Sequence, residues 1–173
     1  MTTERKGIVT FKGGPMTLVG PAIKVGDKAP DFSGLGAGLS AVNLASSKGK
    51  VRLFSVVPSL DTPVCSIQTK KFNEAAAKLP AGVQVYTVSC DLPFAQGRFC
   101  GAEKIDKIPT ISDHRETSFG LAYGVLIKEL RLLARSIFVV DKNDTVAYVE
   151  IVPEIASEPN YDKALEAVRK VSG

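Results

Sequence analysis

The sequence is poor in the residues that build metal and hydrolytic sites. It has three cysteines and one histidine among 173 residues, and no two cysteines form a C-x-x-C pair. This argues against a C-x-x-C redox site and against a structural zinc site. The single histidine, His114, stands between Ser112-Asp113 and Arg115-Glu116, which are typical of a polar surface loop. We therefore expect no bound metal and no Cys–His hydrolase site.

Long apolar runs and dense charge are also missing. No stretch reaches the ~20 apolar residues of a membrane span. The first thirty residues lack the apolar core of a secretory signal. The net charge of +4 is scattered rather than gathered into a basic patch. We predict a protein that binds neither membranes nor nucleic acid. The low and odd cysteine count suits a reducing compartment, so we expect a cytoplasmic location.

The composition is ordinary for a globular protein, with 45% hydrophobic and 23% charged residues. A chain of 173 residues is long enough to bury one full core. No internal repeat or low-complexity segment divides it. We predict a single domain over residues 1–173.

The most informative segment is the octet Pro58-Ser-Leu-Asp-Thr-Pro-Val-Cys65, which follows the apolar run 51–57. Thr62 suits a helix N-cap and Pro63 the first helical position. Cys65 then lies third in the helix, near unpaired backbone N–H groups and the positive end of the helix dipole. Both favour the reactive thiolate. The residues alone leave open a second interpretation, a buried cysteine that only packs.

Hydrophobic patterning predicts an α/β protein. A β-hairpin over 8–19 is expected around Gly13-Gly14, followed by a loop over 20–40. The further elements expected are strands at 51–57, 83–90, 136–140 and 145–152, and helices at 63–79, 93–101, 115–123 and 161–171. This order predicts a thioredoxin-like fold, a mixed central sheet with helices on both faces and an N-terminal β-hairpin.

Four further features are each open to a structural and a functional interpretation. Cys90 ends a buried strand and is expected to be structural rather than reactive. By spacing alone, Cys100 is a packed helix residue rather than a functional thiol, and Arg135 is a surface residue rather than a site cation. The apolar stretch 121–133 is either core or a subunit interface, and we expect it to be partly buried.

The octet also matches the P-x-x-x-T-x-x-C motif of the peroxiredoxins, thiol enzymes that reduce hydroperoxides. Residues 91–96 and 98–103 resemble the second-cysteine segment of the bacterial thiol peroxidases within that family. Residues 133–141 resemble its arginine-bearing strand, and residues 11–15 its extra hairpin. The resemblance covers about residues 8–170.

The resemblance implies a role for each of five residues. Cys65 is the peroxidatic cysteine, shielded by Pro58, while Thr62 hydrogen-bonds the thiolate and the peroxide. Arg135 supplies positive charge. Cys100 is the resolving cysteine and forms an intrachain disulfide with Cys65. The resemblance also implies thioredoxin as reductant, a hydroperoxide substrate and a homodimer. The chemistry requires no metal or organic cofactor.

We therefore predict a thioredoxin-dependent thiol peroxidase. The alternative is a catalytically inactive thioredoxin-fold binding or chaperone protein, and a cysteine hydrolase is a more distant third. Because Cys65 and Cys100 lie on separate predicted helices, we expect the reduced protein to hold their sulfurs too far apart to bond. Disulfide formation should then require local unfolding around one or both cysteines.

Overall fold

A computed structural model describes residues 2–173. The strands are β1 Glu4–Phe11, β2 Gly14–Val19, β3 Gly34–Leu35, β4 Ala41–Val42, β5 Val51–Val56, β6 Val83–Ser89, β7 Thr110–Ser112, β8 Leu126–Ile127, β9 Leu132–Leu133, β10 Ser136–Val140 and β11 Val146–Ile151. The helices are α1 Pro63–Ala76, α2 Pro93–Glu103, α3 Ser118–Ala122 and α4 Tyr161–Ser172. Short 3-10 helices lie at Ala37–Leu39 and Leu44–Ser47.

The main sheet is mixed and has the strand order β11-β10-β5-β6-β7-β3-β4. Strands β5, β6 and β7 run parallel, whereas β10 pairs antiparallel with β5. All six residues of β5 are buried, as expected for a central strand covered on both faces. This arrangement is the predicted thioredoxin-like fold.

Alternation along β5 assigns its side chains to two separate cores. Val51 and Leu53 join a cluster that includes residues of α1 and α4. Phe54 and Val56 join a larger cluster that includes Phe119 of α3 and residues of the β1–β2 hairpin. The predicted helices on both faces are therefore confirmed, with the hairpin beside α3 on the second face.

The hairpin belongs to a second sheet, ordered β1-β2-β8-β9. Its strands β8 and β9 come from the apolar stretch 121–133, whose residues Val125, Leu126, Ile127 and Leu133 are buried within this one chain. Residues 128–131 are exposed, so the predicted partial burial of this stretch is confirmed. Its composition did not reveal two strands of two residues each.

Helix α1 ends at Ala76, three residues before the predicted end. Residues 77–79 form a turn instead, because Leu79 precedes Pro80 and the residue before a proline avoids helical geometry. The loop predicted over 20–40 contains the short strand β3, and β7 was not predicted. Both strands are too short for a periodic pattern.

The fold places the two segments of interest at the same edge of the sheet. The loop after β5 leads into α1, which carries Cys65, and the loop after β6 leads into α2, which carries Cys100. Because β5 and β6 are parallel neighbours, their carboxyl ends and these two loops are adjacent. No helix between residues 2 and 173 is long and apolar enough to cross a membrane.

Candidate active site

Cys65 lies in the first turn of α1, as the sequence predicts. Thr62 is the N-cap residue and Pro63 the first helical residue. The Thr62 side chain makes no capping hydrogen bond, so it does not occupy the N–H groups of the first turn. The Cys65 side chain is fully buried and packs with Val57 and Leu60, and the partly buried Phe99 of α2 packs against this cluster.

Arg135 reaches the same site from the residue before β10. Its Nη2 donates to Cys65 Sγ at 3.2 Å, its Nη1 to Gln68 Oε1 at 2.8 Å, and its Nε to the Ile155 carbonyl at 2.7 Å. Arg135 is 2% exposed, so it is not the surface residue that spacing alone indicated. Three partners fix the plane of the guanidinium, which can therefore hold a developing negative charge on sulfur or oxygen.

Gln68 is a site residue that the sequence analysis missed. It lies three residues after Cys65 on the buried face of α1 and is fully buried. Its Oε1 accepts a hydrogen bond from Arg135 Nη1, and its Nε2 donates one to Ser55 Oγ at 2.8 Å. A glutamine among buried helix positions is the one sequence signal that could have identified it, since buried polar groups need partners.

Pro58 and Thr62 lie beside Arg135 at a cavity of about 250 Å³. Pro58 is buried and Thr62 exposed. The walls are mainly apolar and include Val64 and Ile155. The Thr62 hydroxyl donates a hydrogen bond to the Ser59 carbonyl at 2.9 Å, which leaves its oxygen able to accept a hydrogen bond from a ligand. The cavity gives a small molecule an approach to the guanidinium that contacts Cys65.

The N-terminal hairpin completes this cavity. Phe11 and Lys12 line it from the hairpin tip. Glu154 ties the tip to the opposite wall, because its carboxylate accepts from the backbone N–H of Gly13 at 2.9 Å and of Ala156 at 2.8 Å. These N–H groups, Ala156 foremost, hold the pKa of Glu154 below its ordinary value. The hairpin thereby supports the loop whose Ile155 carbonyl accepts from Arg135.

Cys100 packs against a different hydrophobic cluster from that of Cys65. It is half-buried on α2, packs against the cluster shared by α1 and α4, and lines a cavity of about 540 Å³. This cavity shares no lining residue with the one at Arg135. Burial raises the pKa of the Cys100 thiol, which keeps it protonated in this position. Throughout residues 2–173 the three cysteines are free.

Cys90 and His114 take no part in this arrangement. Cys90 is half-buried and directly follows β6, which ends at Ser89. Burial, assisted by the carboxylates of Asp113 and Asp91, raises the pKa of its thiol to about 12. His114 is exposed in the loop after β7. Nowhere in the described chain do three or more His, Cys, Asp or Glu residues form a group that could hold a metal ion.

A thioredoxin-like fold with one buried helix-N-terminal cysteine in contact with a guanidinium defines a thiol-based redox protein. Comparisons with known proteins agree. The Redoxin family model matches residues 24–165. The thiol peroxidase of Bacillus subtilis (strain 168) is 60% identical over 161 residues, which cover 93% of this chain and 96% of that protein.

Two solved structures are also similar. The peroxiredoxin-like protein from Aquifex aeolicus superposes with a TM-score of 0.89 at 45% identity, covering 98% of each chain. The thiol peroxidase from Chromobacterium violaceum, at 17% identity, shares the fold with a TM-score of 0.83 over 94% of this chain and 95% of that one. The chain belongs to the Redoxin family and, within it, to the thiol peroxidases of the peroxiredoxin type.

Proposed function

We propose that Cys65 is the nucleophile of a two-step reduction of hydroperoxides. The Cys65 thiolate attacks the terminal peroxide oxygen, the O–O bond breaks, and the other oxygen leaves as an alcohol or water after taking a proton. Cys65 becomes a sulfenic acid. Arg135 stabilises the charge that moves from sulfur to the leaving oxygen. The Thr62 hydroxyl hydrogen-bonds the thiolate and the bound peroxide, and Pro58 shields the thiolate from water.

In the second step Cys100 attacks the sulfur of the sulfenic acid. The S–O bond breaks, water leaves, and an intrachain Cys65–Cys100 disulfide forms. A reduced thioredoxin then restores both thiols by exchange. This step requires movement, because Cys100 faces a cavity separate from the one beside Cys65.

The contact between Arg135 Nη2 and Cys65 Sγ at 3.2 Å is the observation that carries this proposal. Both groups are buried, and a buried cation next to a thiol has its largest effect on the charged form. The apolar walls of the adjacent cavity suit organic hydroperoxides, and hydrogen peroxide is small enough to enter it. The homodimer and the cytoplasmic location expected from the sequence stay predictions.

The decisive experiment is NADPH oxidation coupled through thioredoxin reductase and thioredoxin, with an organic hydroperoxide and with hydrogen peroxide as substrates. The parent protein should turn over, and Cys65→Ser should not, because a serine hydroxyl does not ionise near neutral pH. A folded Cys65→Ser variant that consumes peroxide at the parent rate contradicts the proposal. An inert parent protein would instead favour an inactive binding protein.

A further inference from the structure

Asp91 stands between the two cysteine-bearing segments. It lies in the loop between β6 and α2, and its carboxylate accepts three hydrogen bonds. Two come from the loop that precedes Cys65, from Ser59 Oγ at 2.8 Å and from the Leu60 backbone N–H at 2.8 Å. The third comes from Ser89 Oγ at 2.7 Å. The carboxylate therefore attaches the Cys65 loop to the end of β6.

The same hydrogen-bond network holds α2. Gln96 Nε2 donates to Ser89 Oγ at 3.0 Å and to the Ile111 carbonyl at 3.0 Å. Of the eleven residues of α2, all of them described, Gln96 alone is buried. Its Oε1 has no hydrogen-bond partner within residues 2–173, and an unpaired buried acceptor weakens the docked state. Gln96 is thus the one fully buried anchor of α2, beside the partly buried Phe99 and Cys100 that pack against the core. Its amide is attached to the serine that Asp91 binds.

We propose that Asp91 is a positioning residue that docks the Cys65 loop and the Cys100 helix together. Through Ser59 and Leu60 it holds the first turn of α1, and through Ser89 and Gln96 it holds α2. Release of one segment removes a hydrogen-bond partner from the network that holds the other. The two segments should therefore open together rather than independently.

This coupling affects the two chemical steps in opposite directions, a consequence that rests on the proposed function. Peroxide attack needs the docked arrangement, because only there does Arg135 contact Cys65 Sγ. Disulfide formation needs Cys100 to leave its own cavity. The hydrogen bonds of Asp91 thus favour formation of the sulfenic acid and oppose its conversion, with loss of water, into the disulfide.

The first test measures both steps separately in Asp91→Asn. Asparagine offers one acceptor oxygen in place of two. Sulfenic acid formation should slow and disulfide formation should speed up, each on the order of tenfold, the effect of about one hydrogen bond to a charged group. Quenched flow with dimedone and alkylation followed by mass spectrometry gives both rates. A general loss of structure would slow both steps. Two slowed rates, or two unchanged rates, overturn the proposal.

The matched control is Asp61→Asn, the same change of charge in the same loop. Asp61 is exposed, and among the described residues its side chain makes no hydrogen bond or ion pair. The ratio of the two rates should stay at the parent value in this variant. An equal change of that ratio in both variants would assign the effect to charge rather than to the hydrogen bonds of Asp91, and would overturn the proposal.

A second test needs no peroxide and therefore separates this inference from the proposed function. Gln96→Met removes the two hydrogen bonds that the Gln96 side chain donates to Ser89 and Ile111, and it leaves the Asp91 carboxylate in place. In the reduced protein, amide hydrogen exchange should become faster in residues 58–66 as well as in residues 93–103, while β5 and β6 stay protected and show that the variant is folded. Faster exchange confined to residues 93–103 overturns the coupling, whether or not the parent protein reduces peroxides.

Discussion

Replacing Arg135 by methionine should slow the reaction of Cys65 with hydroperoxides while leaving Cys65 in place. Methionine keeps much of the length of the side chain but removes the charge and all three hydrogen bonds. Of these, the bond from Nη2 to Cys65 Sγ at 3.2 Å acts on the reacting sulfur. The bonds from Nη1 and Nε act on Gln68 and Ile155.

The size of the effect can be worked out from this geometry. Two unit charges 3.2 Å apart would attract by roughly 5 kcal/mol at an effective dielectric constant of about 20. The guanidinium charge is shared among three acceptors, so the lower value for one charge-assisted hydrogen bond, about 1.5–3 kcal/mol, is the better guide. At about 1.4 kcal/mol for each factor of ten, the variant should react roughly 10 to 150 times more slowly.

The measurement is the single-turnover rate of the reduced protein with an organic hydroperoxide. Arg135→Met also leaves the Gln68 and Ile155 oxygens without a donor, at a cost of about 1–3 kcal/mol of stability for each. Urea unfolding must therefore show that the variant is folded under the assay conditions. Arg135→Lys is the matched control, because it keeps the charge but cannot donate to three acceptors in one plane. Its rate should fall between those of Arg135→Met and the parent.

The outcome that refutes this reasoning is a folded Arg135→Met variant that reacts at the parent rate. It would mean that the helix N-terminus alone activates the thiolate. The reverse order, with Arg135→Lys slower than Arg135→Met, would show that the position of the charge matters less than the packing around it.

Three further predictions concern the other titratable and redox groups. Cys90→Ser should keep most of the peroxidase activity in the coupled assay, since a thiol whose pKa is about 12 stays protonated at neutral pH; loss of activity in a folded variant would give Cys90 a role. Cys100→Ser should accumulate a dimedone-reactive sulfenic acid at Cys65 after one equivalent of peroxide, and absence of the adduct would contradict its role. Burial raises the pKa of Asp113 to about 6 from 3.8, so this group adds stability that is complete below about pH 4 and lost as the pH rises through about 6. Urea unfolding of Asp113→Asn should lack that part of the pH dependence, and an unchanged slope would refute it.

The sequence predicted the elements that carry the site because they are long and periodic. The signals were local: the apolar run 51–57, the proline at the helix start and the spacing from it to Cys65. In the structure these segments form β5 and the start of α1. Strands β3, β4, β7, β8 and β9 have two or three residues each. Strands of this length are too short for a periodic pattern. The pairings of β7 with β3 and β6, and of β8 with β2, also join segments that are distant in the sequence.

Partners within the site were harder to predict for the same reason. Gln68 and Arg135 lie 67 residues apart, and Ser59 and Asp91 lie 32 apart. Asp91 belongs to a segment that the resemblance already marked, but no spacing shows which oxygen accepts which hydrogen. Arg52 is a similar case. It stands in an apolar run and is fully buried, where it donates to Asp144 Oδ1 at 2.6 Å.

The distribution of burial indicates which segment gives way when the disulfide forms. Helix α1 has four buried residues, Cys65, Gln68, Thr69 and Phe72. Helix α2 has one, Gln96, and its Oε1 has no hydrogen-bond partner among residues 2–173. Local opening costs least where little apolar surface and few hydrogen bonds are lost, so α2 should unfold more readily than the body of α1. The site thus combines a firmly held nucleophile with a weakly held resolving cysteine. Firm packing of α1 keeps Cys65 against Arg135, which activates the thiolate. Weak packing of α2 lets Cys100 move to Cys65.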